Sequence, residues 1–145
     1  MLALLEELLA RGPIVTDGAW GTELQALGLQ SGEFPDEWNL SHPDKVAEVA
    51  STYVKASSQV ILTNTFGGNR FRLEAHHLTD QAAAINLAGV QISKQAAAGQ
   101  ALVFASIGPS GKMLLAGEVT EDELRAAFEE QARALAEGGA DALVV

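Results

Sequence analysis

Apolar positions recur along this chain in two rhythms. In the first, Val46, Val49, Ala50, Tyr53 and Val54 fall three and four residues apart. Ile85, Ala88, Gly89, Ile92 and Ala96 repeat that spacing, and Leu124, Ala127, Phe128 and Leu135 follow it again. Each set marks the buried stripe of an amphipathic helix. Ser41 is placed to cap the first of these helices, with Pro43 tolerated in its opening turn. Thr79 or Asp80 is placed to start the second. Thr120-Glu121-Asp122-Glu123 is a capping box for the third. On that helix Glu121 with Arg125 and Glu129 with Arg133 form i,i+4 pairs, and Gly138-Gly139 supplies the stop. The opening stretch, Met1 to Leu8, reads as one more amphipathic helix. Its early carboxylates and lack of a basic segment set a signal peptide aside.

The second rhythm is a set of short, unbroken apolar runs at residues 14–16, 60–63, 102–106 and 142–145. Such runs predict strands buried on both faces, as in a parallel sheet covered by helices. One helix falls in each gap, which is a serial βα pattern. Residues 18–40 are the longest irregular stretch, with one short helix expected near 22–27. Two α/β architectures fit. One is a small doubly wound sheet of flavodoxin type. The other is the N-terminal half of a (β/α)8 TIM barrel, whose full form takes about 250 residues. Both gather ligands at the C-terminal ends of their strands.

Composition narrows the chemistry. The chain has 145 residues and no cysteine, so it can carry neither a disulfide framework nor a thiolate metal site of its own. A formal net charge of −10 opposes binding to phosphate backbones and sets nucleic acid aside as a partner. No apolar run is long enough to span a membrane, and a cytoplasmic setting is expected.

Polar and turn-forming residues cluster directly after the apolar runs. Asp17-Gly18 follows the first. Asp17 there can accept hydrogen bonds from a substrate ammonium group while Gly18 lets backbone amides approach a carboxylate. It can equally form a plain turn bonded to its own backbone. Thr63-Asn64-Thr65-Phe66-Gly67-Gly68-Asn69-Arg70 follows the second run, and its density of polar side chains favours ligand contact over a capped turn. Ser106-Ile107-Gly108-Pro109-Ser110-Gly111 follows the third, as an anion-binding turn or a loop shaped by Gly and Pro. His76-His77 reads as part of a solvated loop, since adjacent residues seldom converge on one metal.

Taken in order, these blocks resemble the homocysteine S-methyltransferase family. The matching stretches are residues 16–24, Glu37-Trp38-Asn39-Leu40-Ser41-His42-Pro43, and residues 60–73, 106–112 and 118–145. The resemblance implies a (β/α)8 barrel, of which residues 1–145 are a partial homocysteine-binding domain cut in the fourth strand. By analogy Asp17 and the backbone around Gly18 hold the amino-acid end of homocysteine. Asn64 and Thr65 sit on the pocket wall, and the Gly108-Pro109-Ser110 turn lies near its floor or rim. In the family a zinc ion held by three later cysteines binds the substrate sulfur as a thiolate, ready to attack an activated methyl group. Betaine, S-methylmethionine or a methyl-corrinoid serves as donor. This chain has none of those cysteines, so it is expected to bind no zinc, to contribute no catalytic residue and to be inactive alone. Its partner is then a missing C-terminal half-barrel. The alternatives are a non-catalytic half-barrel that associates with itself, and a small-molecule binding domain.

Overall fold

The strands pair in the order in which the sequence lays them down. In the computed structural model, which describes residues 2–10 and 12–145, β1 (Val60–Leu62) pairs in parallel with β2 (Leu102–Ser106), and β2 with β3 (Ala142–Val144). The register sets Val60 beside Leu102 and Phe104 beside Ala142. The run at 14–16 is no full strand: only Thr16 bridges, in parallel, to Val60. The order is therefore sequential, without the reversal that defines a doubly wound sheet.

Helices fill the intervals: α1 (Leu2–Leu9), α2 (Trp20–Ala26), α3 (Trp38–Ser41), α4 (Pro43–Lys55), α5 (Arg70–Glu74), α6 (Ala82–Ala97) and α7 (Glu121–Glu137). Met1, which opens the first helix in the sequence reading, lies outside the described residues. The long helices match the predicted stripes, and α6 is buried further round than its stripe. Asn86, Val90 and Ser93 are enclosed as well as Ile85 and Gly89, because α6 packs between α4 and α7 and also covers the sheet. Val90 joins Ala105, Ile107 and Leu135 in one cluster; Ala50, Ile61, Ala97 and Val103 form the next. Alternate β2 residues, Val103 and Ala105, are buried in these clusters, while Leu102, Phe104 and Ser106 are half-buried.

Two expected caps are replaced. Ser41 closes α3 instead of capping α4, its hydroxyl donating to the Glu37 carbonyl at 3.2 Å. Thr79 and Asp80 form a 3₁₀ turn, Thr79–Gln81, so that Gln81 precedes α6 with no side-chain cap. The Thr120–Glu123 capping box is present in full, as are the Arg125–Glu121 and Arg133–Glu129 pairs. Gly139, at φ +87°, turns the chain out of α7.

Candidate functional site

At the C-terminal ends of β1 and β2 lies a cavity of about 550 Å³. Its walls come from α2, the loops after the first two apolar runs, Ser106 at the end of β2, α5 and its exit, and the irregular stretch between α2 and α3. Trp20, Leu24, Phe34, Leu62 and Phe66 supply apolar surface. Glu33, Asp36, Asn64, Arg72 and His76 supply polar and charged groups.

The predicted site residues divide into those that meet the cavity and those that shape it. Gly18 and Asn64 line it. Asp17 lies behind the lining: its Oδ2 accepts from the Trp20 indole at 2.7 Å and from the Leu62 amide at 2.6 Å, tying the α2 entry to β1. Thr65 is fully buried, and its hydroxyl donates to the Ser106 carbonyl at 2.8 Å. Asn64 spends both amide protons on scaffold, donating to the Pro35 carbonyl at 2.7 Å and to Asn39 Oδ1 at 3.0 Å. Asn39 in turn donates to the carbonyls of Asn64 and Ile85. Gly108, Pro109 and Ser110 stand beside the cavity, outside its lining. The Gly108 amide donates to the Phe66 carbonyl at 2.9 Å, an approach so close that a Cβ there would strike that carbonyl and the Phe66 ring. Ser110 Oγ accepts from the Lys112 amide at 3.1 Å.

Asp36, Arg72 and His76 are among the cavity residues that escaped the sequence reading. Asp36 is nearly enclosed, at 4% exposure, with Oδ1 accepting from the Gly67 amide at 2.9 Å. Burial pushes its carboxyl up to about 7, against the downward pull of the Gly67 N–H and of the Arg72 guanidinium. His76 is not simply part of a solvated loop, for it lines the cavity and stacks on Phe34 with ring centroids 4.5 Å apart. Arg72 lines it as well. Arg72 and His76 stand four apart around α5 and its exit, so they share a face; that spacing was the available signal. Asp36 offered only an acid beside Pro35, which usually marks a helix start. Gly67 admits the arrangement, since a Cβ there would sit 2.6 Å from Phe34 Cζ and 3.3 Å from Asp36 Oδ2.

The zinc that the resemblance implies does not fit these residues. The chain has no cysteine, and among the described residues no group of three or more His, Cys, Asp or Glu is placed to hold a metal ion.

Parallel strands in sequential order with helices between them define an α/β protein, and its cavity lies at the C-terminal ends of the strands. The chain belongs to the homocysteine S-methyltransferase family, whose model matches residues 14–145. It is 29% identical to methionine synthase of Mycobacterium tuberculosis (strain ATCC 25618 / H37Rv) and 30% identical to that of Mycobacterium leprae (strain TN). Each alignment covers 97% of this chain and 13% of the relative. Among solved structures, the metallated form of the homocysteine methyltransferase MmuM from Escherichia coli matches with a TM-score of 0.81 at 26% identity. That match covers 96% of this chain and 55% of the other. The oxidized form of the same protein, at 24% identity and a TM-score of 0.79, shares the fold over 94% of this chain and 54% of its own. The chain thus spans about half the length of the solved relatives and a small part of the curated ones. No helix among the described residues is long and apolar enough to cross a membrane.

Proposed function

We propose that residues 1–145 are the homocysteine-binding half of a methyltransferase barrel, and that the reaction served is methyl transfer to homocysteine giving methionine. The observation that carries this reading is the coincidence of family membership over residues 14–145 with a cavity at the C-terminal ends of the strands. In the reaction the homocysteine sulfur, as thiolate, attacks the methyl carbon of the donor. The S–CH₃ bond forms as the donor–CH₃ bond breaks, and the donor leaves with the electron pair. The contribution of this chain is binding and orientation. Asp17 holds the amino-acid end through Oδ1, which its bonds to Trp20 and Leu62 leave unengaged, together with the backbone at Gly18, and Asn64 and Thr65 fix the wall that the substrate meets. Gly108, Pro109 and Ser110 set the adjoining turn. The metal-binding residues and the rest of the barrel come from a complementary half, and this chain alone is inactive.

The test has two parts. Homocysteine titrated into the chain should shift the amide resonances of Gly18, Asn64 and Gly67; unmoved resonances at saturating concentration would reject the binding role. Methionine should form only when a polypeptide carrying the remaining strands of a relative, loaded with zinc, is added with a methyl donor. Turnover by the pure, zinc-free chain would overturn the inactivity of this half.

A further inference from the structure

The polar side chains just after β1 have most of their hydrogen-bonding capacity engaged, and what remains has one sign. Thr65 donates its hydroxyl proton to the Ser106 carbonyl at 2.8 Å. The Thr63 hydroxyl therefore donates to Thr65 Oγ1, and it accepts from the Ser106 amide at 3.1 Å. Asn64 gives away both Nδ2 protons, to the Pro35 carbonyl and to Asn39 Oδ1. Its Oδ1 receives no hydrogen bond from another described residue and is not sealed in the interior. Asn64 lines the cavity, so that oxygen is the group it offers there.

The scaffold dictates this orientation. Asn39, at 2% exposure, donates to the carbonyls of Asn64 at 2.7 Å and of Ile85 at 3.0 Å. Carbonyls only accept, so the Asn39 amide cannot turn over, and its Oδ1 must face Asn64. Asn64 then meets two acceptors, Asn39 Oδ1 and the Pro35 carbonyl, and must present Nδ2 to both. Gly89 of α6 clears the space for this, since a Cβ there would stand 2.7 Å from Asn39 Nδ2.

We propose that Asn39 is a positioning residue for the cavity. Outside the lining itself, it acts through Asn64 and, with the Pro35 carbonyl, fixes the Asn64 carboxamide as a hydrogen-bond acceptor. That wall takes an N–H donor of the ligand, for an amino acid its ammonium group, and turns a carboxylate away. The inference rests on the reading of the cavity as the homocysteine site. It gives the substrate a direction there, with the amine toward Asn64 and the carboxylate toward the Gly18 backbone.

The experiment uses the full chain carrying isotope-labelled asparagine. Three ligands are titrated: homocysteine, 4-mercaptobutanoate (without the amine) and 3-mercaptopropylamine (without the carboxylate). Homocysteine and 3-mercaptopropylamine should move the Asn64 carboxamide carbon downfield, as its oxygen gains a donor, while its amide protons stay slow to exchange. 4-Mercaptobutanoate should leave that carbon in place and bind at least about tenfold more weakly than homocysteine, as expected when a charge-assisted bond is lost. N39D keeps an acceptor facing Asn64 and should preserve that ratio. N39L has none, and should lower the ratio at least about threefold. A merely structural Asn39 would weaken all three ligands alike, and an unchanged ratio in folded N39L overturns the inference. If neither variant melts cooperatively, the carbon shift in the wild type decides. Asn64 amide protons that exchange freely, or a carbon moved equally by 4-mercaptobutanoate, also overturn it. If homocysteine binds and shifts Gly18 and Gly67 while the Asn64 carbon stays in place, the inference falls and the proposed function stands. An Asn64 carbon moved by 3-mercaptopropylamine without homocysteine binding has the opposite meaning. Binding of none of the three to chain with a cooperative melt rejects both.

Discussion

Burial moves the Asp36 carboxyl from 3.8 to about 7, so across that interval the folded chain holds a proton that the unfolded chain has released. The sign follows. The stability linked to this group is fully present below about pH 4 and is lost as pH rises through 7, by roughly 4 kcal/mol. D36N has no such proton to lose. Urea unfolding at pH 5, 6, 7 and 8 should therefore show D36N gaining on the wild type at each step upward, and a constant difference would refute the assignment. Gly67 is the second residue whose identity follows from what it touches. A methyl group there would meet the enclosed Phe34 ring at 2.6 Å, so G67A should cost roughly 1–3 kcal/mol in the same assay. Neither role was legible along the chain. The weight of Asp36 comes from Phe34, Gly67 and Arg72 closing around it, and sequence neighbours carry no record of that. Asn64 shows the converse. Asn64 lines the cavity at the strand end where its polar type drew attention, but its amide protons bond to residues 35 and 39, which only the folded chain brings near.

Element boundaries were readable where the signal is local. The Thr120 hydroxyl accepts from the Glu123 amide at 3.2 Å while Glu123 Oε2 accepts from the Thr120 amide at 2.8 Å. The partners are three residues apart, so the spacing alone announces the bond. T120A should lower stability by about 1 kcal/mol, seen as a reduced urea midpoint at unchanged slope. Ser41 and Thr79 failed as caps because the chain takes a short helix or a 3₁₀ turn just ahead of the longer helix, a choice made by packing. Packing also explains Gln131, a polar residue on the buried side of α7. Its Nε2 donates to the Thr65 carbonyl at 2.8 Å and to Asn86 Oδ1 at 3.2 Å, and Asn86 donates to the Gly68 carbonyl at 2.7 Å. Two helices thereby grip the loop that presents Asn64, Phe66 and Gly67 to the cavity. Q131L fills the same space but leaves the Thr65 carbonyl with one donor fewer. The expected cost is roughly 1–3 kcal/mol, with amide shift changes concentrated in residues 64–68. Changes confined to α7 would show that the grip is unimportant.

For the molecule as a whole, strand order is the most informative fact. Local patterns admitted both a doubly wound sheet and a barrel arc, because each is built from the same βα units and differs only in which strands become neighbours. Pairing of Thr16 with Val60, β1 with β2 and β2 with β3 decides against the doubly wound sheet, because the strands advance in one direction. Among the described residues β3 pairs only with β2, and Leu143 and Val144 are about two-fifths exposed and Val145 almost wholly so. An apolar edge of this kind is a template for pairing with another strand. Helix α6 and the clusters around it still give the chain a core, so association should add to folding and not replace it. The sedimentation coefficient of the purified chain should accordingly rise with concentration. Val144 stands in register with Ser106, on the face opposite the buried Val103 and Ala105. A lysine there charges the edge without disturbing the packing under the helices. V144K should sediment independently of concentration while melting with the same cooperativity. If V144K associates as the wild type does, the contact lies elsewhere. If the wild type stays monomeric throughout, the β3 edge is no liability.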